Sequence, residues 1–149
     1  MDKNKEITKT EIYTVVTDSE LRVQMLEDSC VHAGFPSPVE AAYQAQPIDL
    51  NKELVSNPAS SFLMRVVGDS MIDEGIDDGD IIIVDRSLFP TERSVAVVQL
   101  EGEFALKRIL QRNNHIQLLS GNPAYPPITI YDRNALTVYG VVCWVLKKK

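Results

Sequence analysis

The chain has 149 residues, 44% of them hydrophobic, which is enough to bury the core of one domain with a tail. Its formal net charge of -6 speaks against strong direct binding of duplex DNA, since neutralising phosphates takes clustered Lys and Arg. No run approaches the roughly 18 to 20 apolar residues of a membrane span, and the N-terminus lacks an apolar signal block. Cys30, Cys143, His32 and His115 have neither metal-ligand nor CxxC spacing, so a cytoplasmic protein with free thiols and with no membrane, metal or cofactor is expected.

Taken in chain order, "DSELRVQMLEDS" (18–29) reads as a short helix with Leu21, Met25 and Leu26 on one side. In "HAGFPSP" (32–38), Pro36 and Pro38 exclude helix and bias the preceding residues toward extended backbone. Such a stretch is ordinarily a linker, and it is also the shape of a strand offered to a protease. "SPVE" (37–40) has capping-box spacing with Pro38 at the first helical position, and Pro47 ends that helix. Asp49 can cap a second helix, "LNKELVS", which Asn57-Pro58 stops.

Beyond Ser60 the apolar runs shorten and become β-branched: "SFLMRVV", "DIIIVD", "SVAVVQL", "EFALKRIL", "HIQLLS", "PITIY" and "LTVYGVVCWVL", separated by Gly, Pro, Asp and Asn. They predict a mostly β domain of antiparallel strands. The last run could form an edge strand for self-association or lie in the sheet interior. The terminal "LKKK" is expected to be a solvated tail, and "DDGD" a turn rather than a calcium loop.

Two stretches can carry chemistry. In "VVGDSMIDEGIDDGD" (66–80) a strand runs into a Gly-Asp-Ser turn, where Ser70 leaves at an exposed corner and the following amides can face a carbonyl oxygen. Asp69 or Ser70 can equally cap the turn. In "EFALKRIL", period-2 alternation puts Phe104, Leu106 and Leu110 on one face and Lys107 on the other, between Ala105 and Ile109. An apolar row would desolvate the ammonium and lower its pKa, leaving an amine able to take a proton from a serine; otherwise Lys107 snorkels to water.

"AGFPSP", "GDSMID" with "GDIIIVD", and "GEFALKRI" occur in that order, followed by "LLSGNPAYPPITI" and "VYGVVCWV". Together, over roughly residues 33–146, they resemble the LexA/UmuD family of self-cleaving Ser-Lys proteins. The resemblance implies that Ser70 is the nucleophile, Lys107 the general base, Ala33-Gly34 the scissile bond, and the amides of Ser70 and Met71 the oxyanion donors. It divides the chain into an arm (1–33) removed by self-cleavage, a linker with short helices (34–59) and a β-rich Ser-Lys protease-like domain (60–149). Residues 1–33 are too few for the helix-turn-helix domain of a LexA-type repressor, so the UmuD branch, which acts in SOS mutagenesis, is expected. That branch implies a homodimer, cleavage stimulated by the RecA nucleoprotein filament on single-stranded DNA, and service to a UmuC-like Y-family DNA polymerase in translesion synthesis.

Two other classes compete. One is a non-cleaving dimeric regulatory or polymerase-accessory module in which the dyad is a relic. The other is a Ser-Lys enzyme acting on other proteins, as a signal peptidase does.

Overall fold

A computed structural model describes residues 12–14, 23–26 and 45–149. The chain forms two units, Met1–Val15 with Asn57–Lys149 and, separately, Val16–Ser56. In the smaller unit β2 (Val23–Leu26) pairs antiparallel with β3 (Ala45–Ile48), and α1 (Leu50–Leu54) follows. The helix expected around Leu21–Leu26 is therefore a strand over Val23–Leu26, because pairing with β3 outweighs a weak local helical preference. Pro47 lies within β3, where a short two-stranded pairing tolerates the missing donor. Asp49 caps α1 as expected, its carboxylate accepting the Asn51 amide at 3.0 Å. The helix expected at 37–44 lies outside the described residues.

Among the described residues the larger unit holds the strands β1 (Ile12–Thr14), β4 (Ser61–Arg65), β5 (Ile81–Asp85), β6 (Val95–Leu100), β7 (Glu103–Gln111), β8 (Ile116–Leu119), β9 (Ile128–Ile130) and β10 (Leu136–Leu146). They form one eight-stranded sheet in the order β1-β4-β5-β10-β6-β7-β8-β9. All neighbouring strands are antiparallel. The seven runs after Ser60 thus all become strands, and the mostly β antiparallel expectation holds.

Alternation along β6 explains its unbroken apolar sequence. Val97 packs with Phe62, Met64, Ile82 and Val84 in one core cluster, whereas Ala96 and Val98 pack with Leu118 and Ile130 in another. A strand covered on both faces has no polar side to display.

The C-terminal run takes the interior alternative: β10 lies between β5 and β6 and is not an edge. It bends through irregularities at Val138/Gly140 and Val142/Trp144, pairing first with β6 and then with β5. Gly140 permits this approach, since a Cβ there would meet Val84 Cγ1 at 2.6 Å and the Asp85 carbonyl oxygen at 3.0 Å.

The basic tail also departs from expectation at Lys147. This residue forms ion pairs with Asp77, at 2.6 Å, and with buried Asp80, fixing the "DDGD" turn against the end of β10.

Asp85, at the end of β5, is a buried carboxylate with four donors: Asn57 Nδ2 (2.6 Å), Ser60 Oγ (2.9 Å), Ser87 N (2.8 Å) and Ser87 Oγ (2.7 Å). Burial pushes its pKa up, but the hydrogen bonds from Asn57, Ser87 and Ser60 outweigh burial and hold it at about 2. Because the folded value lies below the unfolded one, the linked stability of about 2 kcal/mol is fully present above pH ~4 and is lost as pH falls toward 2. Asp85→Ala should cost about 2–4 kcal/mol in urea denaturation at pH 7 by stranding its donors, with the deficit shrinking toward pH 2.

Candidate active site

Ser70 sits where the sequence places it, in the turn that follows β4. The chain passes through Gly68 at φ 93 and Asp69, and then enters a 3-10 turn at Ile72–Glu74. A positive φ is what glycine supplies without steric cost. Gly68 is further fixed by its amide donating to Asp78 Oδ1 at 2.7 Å. Met71 is buried in the core cluster and anchors the turn from below, while Ser70 is half-buried.

Lys107 lies at the middle of β7, opposite Ala96 of β6. Its strand neighbours on the same face, Ala105 and Ile109, pack against the second core cluster, and Phe104 and Leu106 pack against the first. The apolar row expected from alternation is present. Lys107 is 8% exposed, and desolvation by this burial pulls its pKa below the usual lysine range.

The loop 120–125, "SGNPAY", joins the two. Lys107 Nζ donates to Ser120 Oγ at 2.9 Å. Gly121 donates to Met71 Sδ at 3.3 Å and accepts the Asp73 amide at 2.7 Å. Asn122 Nδ2 donates to the Asp69 carbonyl at 2.9 Å, and the Tyr125 hydroxyl donates to Asp69 Oδ1 at 2.6 Å. That last bond raises the Tyr125 pKa, so the phenol stays protonated where an ordinary tyrosine begins to ionise. The Tyr125 ring centroid also lies 5.9 Å from Lys107 Nζ. One loop therefore holds the lysine at its start and the serine turn through the residues flanking Ser70.

Gly121 is required at this junction, because a Cβ there would meet Glu74 Cγ at 2.6 Å and the Glu74 amide nitrogen at 3.2 Å. Glu74 in turn pairs with Arg108 Nε at 3.0 Å, tying the 3-10 turn to β7 beside Lys107. A cavity of about 350 Å³ opens alongside, bounded by Glu74, Arg108, Ser120, Asn122, Tyr125 and Pro126 among others.

Lys107 and Ser70 share this loop, but the hydrogen bond Lys107 makes goes to Ser120 and not to Ser70. The amides of Ser70 and Met71 find no acceptor among the described residues. Ala33 and Gly34 lie outside those residues, as does Cys30; Cys143 is a free thiol. Among the described residues no cluster of His, Cys, Asp or Glu could hold a metal, and no helix is long and apolar enough to cross a membrane.

Ser120, Asn122 and Tyr125 were not singled out from the sequence. The signal available was local: Ser-Gly-Asn-Pro is turn-forming, and Asn122 closes an Asx turn by accepting the Ala124 amide at 3.0 Å. Nothing in that pattern points across the fold to Asp69 or Lys107.

The Peptidase S24-like family model matches residues 24–143, most of the chain. Protein SamA of Salmonella typhimurium is 40% identical over 116 residues, covering 78% of this chain and 79% of that one. Protein ImpA of Escherichia coli is 36% identical over 125 residues, covering 83% of each chain. Protein MucA of Escherichia coli is 37% identical over 113 residues, or 75% of this chain and 76% of MucA. The chain belongs to the Peptidase S24-like family, as a UmuD-type member of the LexA/UmuD group. This UmuD-type protein is accordingly of the serine-peptidase kind and related to SOS mutagenesis. The S24-like match takes in Ser70, Lys107 and the whole 120–125 loop.

Proposed function

We propose that the chain is a self-cleaving Ser-Lys peptidase that cuts its own Ala33-Gly34 bond. The observation that carries this reading is Lys107: a lysine in an apolar row, depressed in pKa by burial and held by the same loop that holds the turn of Ser70.

In the reaction, neutral Lys107 Nζ takes the Ser70 hydroxyl proton as Ser70 Oγ bonds to the Ala33 carbonyl carbon. The amides of Ser70 and Met71 receive the oxyanion. The Ala33–Gly34 C–N bond then breaks, and Lys107 returns the proton to the leaving Gly34 amine. Water, deprotonated by Lys107, attacks the Ala33–Ser70 ester and releases Ala33 as a carboxylate and Ser70 as the free hydroxyl. Contact between Lys107 and Ser70 forms as the arm docks, since catalytic hydrogen bonds in resting enzymes are often completed only by substrate.

The biological setting proposed with this chemistry is the cytoplasm of a DNA-damaged cell. There a RecA nucleoprotein filament stimulates the cut, and a homodimer of residues 34–149 serves a UmuC-like Y-family polymerase in translesion synthesis. The UmuD-type relatives support this setting. Processing also changes the sheet. β1 precedes the proposed cut and pairs with β4 through Ile12–Met64, Tyr13–Leu63 and Thr14–Phe62, so its departure leaves the β4 edge unpaired.

The test is incubation of the wild type and Ser70→Ala with RecA filament on single-stranded DNA, followed by N-terminal mapping. A new terminus at Gly34 in the wild type alone is expected; cleavage elsewhere, or in both proteins, contradicts the assignment. A non-cleaving accessory module draws on one observation, the Lys107 hydrogen bond to Ser120 in place of Ser70. For that module, both proteins stay whole.

A further inference from the structure

Asp69 precedes the proposed nucleophile and is held twice by a single turn. Asn122 Nδ2 donates to its carbonyl at 2.9 Å, and the Tyr125 hydroxyl donates to its carboxylate at 2.6 Å. Asn122 is only 8% exposed, and both ends of its amide are committed: Oδ1 accepts the Ala124 amide at 3.0 Å while Nδ2 reaches Asp69. The Tyr125 amide donates to the Asn122 carbonyl at 3.0 Å, closing the turn from which both side chains project. The amide orientation of Asn122 is thus set by a backbone donor on one side and a backbone acceptor on the other.

We propose that Asn122 and Tyr125 are positioning residues that set the place of Ser70 by clamping Asp69. The proposal rests on the Ser-Lys reading above. Residues 68–70 lie in neither helix nor strand, so no regular ladder fixes the Asp69 peptide, and the two bonds from the 122–125 turn tie it to the loop that begins at Ser120. Because Ser120 meets Lys107, base and nucleophile are registered against one loop. A nucleophile displaced by about 1 Å costs on the order of 10²-fold in rate, which sets the size of the effect.

The clamp acts on the serine side alone, and this separates it from a loop that merely needs to fold. Asn122→Asp keeps the shape and the Ala124 acceptor but turns an oxygen toward the Asp69 carbonyl. Tyr125→Phe keeps the ring beside Lys107 and removes only the hydroxyl. Neither alters the apolar row around Lys107, and only Asn122→Asp adds a charge to the loop that meets it.

The experiment measures self-cleavage rate against pH for the wild type, Asn122→Asp, Tyr125→Phe, Asp69→Ala and the Asp69→Ala/Tyr125→Phe double variant. The Ser70 amide resonance is recorded in parallel on Ser70-intact protein at pH 7. Expected are a loss of about 10²-fold for Asn122→Asp and about tenfold for Tyr125→Phe, a pH midpoint unmoved in Tyr125→Phe and raised in Asn122→Asp by its added carboxylate, and a double variant no slower than Asp69→Ala. The Ser70 amide resonance should shift in both Asn122→Asp and Tyr125→Phe. Wild-type rates in both variants, or a rate loss in Tyr125→Phe accompanied by a moved midpoint, overturn the clamp. If the wild type itself stays whole at every pH, the Ser-Lys reading fails, and the amide resonance then decides the clamp: unmoved in both variants, the clamp is wrong as well.

Discussion

Lys107→Met is expected to slow self-cleavage by at least about 10³-fold while the protein melts no lower than the wild type. The two halves of this result come from one feature. Lys107 shares its strand face with Ala105 and Ile109, which pack on the second core cluster, and its burial strips water from the ammonium. Folding must therefore strip a proton or bury a charge, and a thioether of similar length does neither. The partner left behind, Ser120, is half-buried and can turn its hydroxyl elsewhere. Each kcal/mol regained would raise the melting temperature by about 2–4 °C in a chain of this size. Activity has the opposite requirement, since general-base catalysis contributes about 10²–10⁴-fold and methionine cannot accept the proton. Differential scanning calorimetry beside a cleavage time course checks both. A Lys107→Met chain that cuts itself at the wild-type rate removes the base from the mechanism, and one that melts far below the wild type shows that the lysine is structurally required.

Spontaneous self-cleavage should accelerate about tenfold per pH unit from neutrality and level off below the ordinary lysine value near 10.4. The slope follows from the fraction of Lys107 that is neutral, and the early plateau follows from burial, which lowers its pKa. The same shift appears in stability. The folded chain holds the Lys107 proton less tightly than the unfolded chain does, so between the folded and unfolded pKa values the unfolded state binds more protons. The Lys107 contribution to stability therefore rises with pH across that window. The Tyr125–Asp69 bond persists through much of this range because that bond itself raises the phenol pKa. A flat rate profile between pH 7 and 10 would show that proton loss from a lysine does not control the step.

The sheet was legible because its strands are short, β-branched and punctuated. The Lys107 face was legible because strand geometry leaves only two faces, and Ala105 and Ile109 identify which one is apolar. β2 was misread because Leu21, Met25 and Leu26 satisfy a helical spacing over a stretch too short to decide the period, and the long-range partner Ala45–Ile48 settles it. The bends of β10 depend on Gly140 approaching Val84 and Asp85, a contact between residues far apart in the chain. The loop 120–125 was opaque for a similar reason. Ser120, Asn122 and Tyr125 look like ordinary turn residues until the fold carries them to Lys107 and Asp69. Periodicity reports which side of an element is buried, but it carries no information about where a polar loop side chain finds its partner.

The most direct measurement is the intact mass of the purified wild type and Ser70→Ala after incubation at pH 7 and near pH 10. Loss of residues 1–33 from the wild type only, faster at the higher pH, is expected. Full mass in both proteins at both pH values, even with an activated RecA filament added, would contradict Ser-Lys self-cleavage.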